Sequence, residues 1–379
     1  MKIVIAIDSF KGSLSSIEAA NGVKDAAAEV YDNPEIIILP VADGGEGTAR
    51  ALTEGLAGNM RRITVTGPLG EKTAAEYGIV GRTAVIEMSE AAGITLVPPE
   101  KRNPMITTTY GVGEIILDAL NMGCRSFTVG IGGSATNDGG AGMLSALGFK
   151  LLDKSGRPIL PGAQGLKDIS LIDGRDVPAL LSECDFTVAC DVTNPLLGDK
   201  GCSKIYGPQK GADEDMIALM DGYLSNYAKI SKNYNPSADE SEPGAGAAGG
   251  MGFAFRTFLG AKLERGIELV LKTVGLKESL VGADLVVTGE GRLDSQTAMG
   301  KAPAGVAAMA KERGIPVIAF CGSVADGAEI CNSHGIDAFF PILRRVGSLG
   351  EAMDKENAYK NIKETAKQVF LLIRKIKEV

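Results

Sequence analysis

"MKIVIAIDSFKGSLSSIEAANGVKDAAAEV", residues 1–30, reads as a strand, a polar loop and a helix in succession. Ile3 to Ile7 form a short apolar run that stops at Asp8. Ser15 and Glu18 then have the S-x-x-E spacing of a helix capping box, and Ile17, Ala20, Ala27 and Val30 keep to one helical face. The same order recurs in "EIIILPVADGGEGTARALTEGL" (35–56), in "ADLVVTGEGRLDSQTAMGKAPAGVAAMAKERG" (283–314), and through "IPVIAFCGSV" (315–324) and "GIDAFFPILR" (335–344) to a helix carrying Ile362, Val369, Phe370, Ile373 and Ile376. Short, continuously apolar strands alternating with helices predict a parallel sheet covered on both faces. Both ends of the chain are expected to contribute to it.

The chain has 379 residues, beyond the size at which one hydrophobic core keeps growing, so two domains are expected. Residues 61–89, "RRITVTGPLGEKTAAEYGIVGRTAVIEMS", have a different, β-rich character with turn signals at Gly67-Pro68 and Gly70. The expected division is therefore a discontinuous first domain, 1–66 plus 283–379, with a second α/β domain, 67–282, inserted into it. Within the insert, "SKNYNPSADESEPGAGAAGGMG" (231–252) is the best candidate for an exposed loop.

A net charge of −8 without long runs of one sign argues against nucleic acid or an anionic membrane as the main partner. No apolar run approaches the roughly 18 residues a membrane helix needs, and the N-terminus reads as a strand rather than a signal peptide, which places the protein in the cytoplasm. The six cysteines lack C-x-x-C spacing and His334 is the single histidine. A zinc site or a histidine-based triad is thereby disfavoured, and buried free thiols are expected.

Function is expected where polar, glycine-rich stretches follow predicted strands: "DSFKGS" (8–13), "ADGGEGT" (42–48), "GGSATND" (132–138), "DVTNP" (191–195) and "GEGRLDS" (289–295). In open α/β sheets ligands bind beyond the carboxyl ends of strands, so these loops are candidates for one cleft. The segment "VGIGGSATNDGGAGM" (129–143) holds six glycines and suits an anion cradle of backbone amides at a helix start. Gly130, Gly132 and Ala135 also match G-x-G-x-x-A, with Asp153 near the place of a ribose-binding acid, which leaves a nicotinamide enzyme open. A phosphate or nucleotide sensor without catalysis remains open on the same cradle. Walker A is absent, so a kinase built on this sequence is not a P-loop kinase.

Asp8, Asp43, Glu46, Asp138, Asp191, Glu290 and Asp294 all fall in these loops, accompanied by Lys11, Lys210 and Arg292. Any one carboxylate is most often a cap or Asx turn. Together they suit phosphoryl transfer, which needs acids for Mg²⁺ and for the attacking hydroxyl, and cations for anionic groups. "PGAGAAGGMGFAF" (243–255) serves either a ligand approaching the backbone or close helix packing.

"DSFKGS", "PVADGGEGT", "TYGVGE", "GIGGSATNDGGAGML", "ACDVTNPL", "YGPQKGA", "PGAGAAGG" and "TGEGRLDSQT" together resemble the type 1 glycerate kinase family of bacteria, in order and along nearly the whole chain. The resemblance implies an ATP-dependent kinase of D-glycerate acting in glyoxylate, glycolate or sugar-acid use, with the 2-hydroxyl favoured over the 3-hydroxyl. It also implies two α/β domains, one with a flavodoxin/Rossmann-like parallel sheet, and an active site in the cleft between them. On chemical grounds the expected roles are these. Gly132, Gly133, Ser134, Thr136, Asn137, Asp138 and Gly139 bind the ATP phosphates. Asp191 and Asp43 hold Mg²⁺. Arg292 and Lys11 bind the glycerate carboxylate or the γ-phosphate, and Asp294 or Asp8 orients the hydroxyl.

Overall fold

The computed structural model describes residues 1–42 and 47–378. Two compact units emerge: Met1–Asp43, Glu54–Leu56 and Ile267–Val379 form the first, and Gly44–Thr53 with Ala57–Gly266 the second.

The first unit is a five-stranded, all-parallel sheet in the order Ala338–Pro341, Val317–Val324, Leu285–Leu293, Lys2–Ile7, Glu35–Ile38. Counted along this unit alone the order is 2-1-3-4-5, the flavodoxin-like arrangement. Ile3 to Ile7 are fully buried because helices cover the sheet. Ile3, Ile5 and Ile7 share a core with Ala19, Val23, Ile362 and Phe370 from the helices Ser16–Val30 and Lys355–Lys377, while Val4 and Ala6 point to the other face. The capping box forms as the spacing predicts, with the Ser15 hydroxyl accepting from the Glu18 amide and the Glu18 carboxylate from the Ser15 amide.

The second unit carries a six-stranded mixed sheet in the order Lys262–Glu264, Asp185–Ala189, Ser126–Gly130, Thr83–Glu87, Lys72–Val80, Asn59–Thr66. The first four strands are parallel and the last two antiparallel. Phe127 and Phe186 stack at 4.6 Å across neighbouring strands. The boundaries differ from the sequence expectation of 1–66 plus 283–379 at three points, the first being that Gly44–Thr53 goes with the second unit. Residues 57–66 go with the second unit because the strand Asn59–Thr66 hydrogen-bonds to Lys72–Val80 along its length. Residues 267–282 go with the first, where Ile267 packs against the helix Ala302–Lys311 at Gly305.

Three local readings are also corrected. "GEGRL" is strand rather than loop: Leu285–Leu293 continues through it, with Arg292 paired to Ser323. A Cβ at Gly289 would lie 2.0 Å from the Phe320 carbonyl oxygen, and one at Gly322 would lie 2.5 Å from that of Gly291, so these glycines let the strands run on side by side. The exposed loop expected over 231–252 ends early, because residues 244–250 turn inward and are mostly buried. Asp153 accepts from the Ser155 and Arg157 amides and pairs with the Arg157 side chain, closing a local turn instead of waiting for a ribose.

Among the described residues all six cysteines are free thiols, four of them buried and two half-buried. No described helix is long and apolar enough to cross a membrane.

Candidate active site

The carboxyl ends of the first unit's strands enclose a cavity of about 420 Å³. The turn after Lys2–Ile7 supplies Asp8, Phe10 and Lys11, and the end of Leu285–Leu293 supplies Glu290, Arg292 and, just beyond, Asp294. These two strands are adjacent and form the point where this strand order reverses, the position at which doubly wound sheets bind their ligands. Asp8, Lys11, Arg292 and Asp294, the four residues expected to be catalytic, are thus brought together.

Local bonding fixes the two carboxylates, Asp8 and Asp294. The Asp8 amide donates to the Gly289 carbonyl, its carboxylate accepts from the Ser9 amide at 2.6 Å, and it is buried. Lys11 is exposed on a tight turn in which the Phe10 and Leu14 backbones bond to each other. The Glu290 carboxylate accepts from the buried Thr297 hydroxyl. Asp294 accepts from the Gln296 and Thr297 amides and faces the Lys301 ammonium at 3.4 Å. Its partial burial pushes the carboxyl pKa up, but the Lys301 charge and the amide bonds outweigh that and hold it below the usual value. Arg292 is exposed and its guanidinium has no hydrogen-bond or ion-pair partner among the described residues. A free, forked cation at the mouth of a cavity is suited to a bidentate anion.

Sequence reasoning missed Lys301 and the apolar wall. Lys301 sits immediately before the helix Ala302–Lys311, seven residues after Asp294, and that spacing was its only signal. The wall comes from Ile342, Leu343, Leu349, Ala352 and Met353, which carry no polar motif. Gly12, at φ +78°, leaves room for Met353: a Cβ there would sit 2.7 Å from the methionine Cε.

In the second unit the loop after Ser126–Gly130 is built differently from the expected cradle. Thr136, Asn137 and Asp138 are completely buried. Asp138 accepts from the Thr109 amide and hydroxyl, both at 2.9 Å, and from the Gly140 and Gly142 amides, while the Met143 amide donates to the Thr109 hydroxyl. The start of the helix Ala141–Ala146 is therefore satisfied internally and is closed to an anion. Asn137 donates to the buried Ser203 hydroxyl. The Gly139 amide donates to the Gly249 carbonyl at 2.9 Å, and a Cβ at Gly249 would come within 2.1 Å of the Thr136 carbonyl oxygen. The "PGAGAAGG" glycines thus serve close packing against this loop, which resolves the two readings left open for them.

Of the expected phosphate-binding residues only Gly132 and Gly133 are exposed, with Gly133 at φ +70°. Their amides have no described backbone acceptor. Thr136, Asn137, Asp138 and Gly139 are buried, with the Asp138 carboxylate and the Gly139 amide bonded within the unit. Ser134 is nearly buried and bonded to Lys210.

Lys210, expected with Lys11 and Arg292 among the cations suited to anionic groups, is 2% exposed. Its ammonium donates to the Ser134 hydroxyl at 2.8 Å and to the Thr136 carbonyl at 2.6 Å, fixing the loop from beneath. Burial lowers its pKa to about 8, against the opposing pull of the Cys202 thiol and the Asp138 carboxylate. Between pH 8 and the ordinary lysine value of 10.5 the unfolded chain holds a proton that the folded chain has released, so this residue makes stability rise with pH across that window. Urea midpoints of the wild type and of Lys210→Met across that range check this: the wild-type midpoint minus that of the variant is expected to rise with pH, the buried thiols that act the other way being common to both.

Asp191 follows Asp185–Ala189, the strand beside Ser126–Gly130. One of its oxygens accepts from the Gly266 amide at 2.9 Å, and the other has no partner among the described residues. Asp43 and Glu46, with the rest of 43–46, lie outside the described residues. Glu87 accepts from the Gly47 and Ala49 amides and caps the helix Thr48–Gly55. No cluster of three metal-ligating side chains exists among the described residues.

The sequence model of the glycerate kinase family matches residues 3–374. The chain belongs to the glycerate kinase family. It is 49% identical over 371 residues to the glycerate 2-kinase of Escherichia coli strain K12, covering 97% of each chain, and 46% identical over 376 residues to a glycerate kinase of Bacillus subtilis strain 168, covering 99% and 98%. A crystal structure from Salmonella typhimurium LT2 that carries the glycerate kinase 2 designation superposes with a TM-score of 0.91 at 45% identity over the full length of both chains. The protein is accordingly an enzyme of the kinase class, and the two-unit α/β fold is the fold of its relatives.

Proposed function

We propose that this kinase transfers the γ-phosphoryl group of ATP to D-glycerate, favouring the 2-hydroxyl, and that it works in organic acid catabolism in the cytoplasm. The observation that carries the reading is the convergence of Asp8, Lys11, Arg292 and Asp294 on one cavity at the strand-order reversal of the first unit. Its sequence support is the family match, and a glycerate 2-kinase among the relatives favours the 2-hydroxyl.

In this mechanism Arg292 and Lys11 hold anionic oxygens and stabilise the charge of the transferring group, which is most of the work in phosphoryl transfer. Asp294 is held in the ionised state by Lys301 and two amides, so it can accept a hydrogen bond from the acceptor hydroxyl and orient it. Asp8 is the second candidate for that role. The exposed amides of Gly132 and Gly133 are the remaining backbone donors for phosphate oxygens. Mg²⁺ is held by few protein ligands and keeps several waters, and Asp191, with one unengaged oxygen, fits such a site, as Asp43 does by residue type. When bound, the ion would neutralise phosphate charge.

ADP release is expected to rise strongly when D-glycerate is added to enzyme and MgATP, with L-glycerate and no acceptor as references, and phosphorus NMR is expected to show a 2-phosphate ester. No stimulation by D-glycerate would defeat the proposal.

A further inference from the structure

The cavity of the first unit is lined by both charged and apolar side chains. Arg292, Lys11 and Lys301 stand at the strand ends. The segment following the last strand adds Leu343, Leu349 and Met353, which line the cavity and remain 45%, 75% and 37% exposed. Large aliphatic side chains left in water around a concavity mark a binding surface, and the volume of about 420 Å³ falls in the roughly 300–1,000 Å³ range of small-molecule sites.

A kinase has two substrates. Glycerate is a small acid bearing hydroxyls, with no apolar face to cover such a wall. A nucleotide has a flat base with two apolar faces and an anionic chain at its far end, and this cavity offers both apolar and cationic side chains. We propose that the cavity is the nucleoside subsite of the donor. The base lies on Leu343, Leu349, Ala352 and Met353, and the phosphate chain is directed toward Arg292 and Lys11. This rests on the kinase reading above and extends it, because it commits Arg292 and Lys11 to phosphate rather than to the glycerate carboxylate.

Photolabelling of the intact enzyme with 8-azido-ATP, followed by peptide mapping, tests the placement. Label in peptides spanning 342–358, competed by ATP, is expected; label confined to peptides from 57–266 would overturn it. Kinetics give an independent reading. Leu349 is largely exposed, so Leu349→Glu leaves the fold intact while placing a carboxylate against the base, and Ala352→Phe fills the space. Each is expected to raise the KM for ATP about ten-fold or more while the KM for D-glycerate stays near wild type. An unchanged KM for ATP in both variants, or a rise confined to D-glycerate, would count against the subsite. Should 8-azido-ATP label 342–358 while D-glycerate fails to stimulate turnover, the nucleoside subsite stands and the acceptor assignment falls.

Discussion

Arg292→Ala should lower kcat/KM by about 10² to 10³ while leaving the melting temperature close to that of the wild type. The size follows from removing one preorganised charged donor from a site where charge develops in the transition state. The small effect on stability follows from the exposure of the guanidinium and its lack of partners among the described residues, since surface substitutions that break no contact change stability little. Arg292→Lys keeps the charge and loses the fork, so it should recover part of the rate. Steady-state kinetics and a thermal melt on the same preparations decide the matter. An Arg292→Ala enzyme with near-normal turnover would remove this residue from the reaction.

Asp138→Ala should produce the opposite pattern, in which stability fails first. Its carboxylate satisfies three buried amides and one buried hydroxyl, and each orphaned buried donor costs on the order of 1–3 kcal/mol. These terms are not additive in one network, so a loss of about 3–5 kcal/mol is expected, enough to move the melting temperature by about 10 °C in a unit of this size. Asp138→Asn is more informative. One oxygen, Oδ2, accepts the Thr109 amide, the Thr109 hydroxyl and the Gly142 amide, whereas Oδ1 accepts only that of Gly140. An asparagine oriented with its carbonyl at the first position keeps three bonds and turns an NH₂ toward the Gly140 amide, so its destabilisation should be clearly smaller than that of alanine. If the alanine variant melted like the wild type, the internal closure of this loop would be mistaken.

These two residues mark the limit of what the sequence conveys. Strand, loop and helix were legible at both ends because continuous apolar runs and a capping box are local signals. The glycine-rich loop was visible as a loop, but the direction of its side chains was not. Thr109, Ser203, Lys210 and Gly249 turn Asp138, Asn137 and Thr136 inward, and all are remote in sequence from the groups they bind. The strand through "GEGRL" was hidden for the converse reason, since glycine lowers strand propensity while the neighbouring backbone at Phe320 demands it. The apolar wall at 342–353 resembles ordinary core until its exposure is seen.

The arrangement of the first sheet has a consequence for biosynthesis. Ile3 pairs with Leu285 and Ile7 with Gly289, so the N-terminal strand leaves the ribosome some 280 residues ahead of its neighbour. The intervening chain can form the strands of its own sheet meanwhile, because domains generally fold as units during synthesis. The strands Lys2–Ile7 and Glu35–Ile38 must wait with one edge unpaired, and pairings of such long sequence separation are intrinsically slow and exposed to aggregation. The nascent chain is thus most vulnerable at its oldest residues, and the segment that completes their sheet is also the one that brings Arg292 to them.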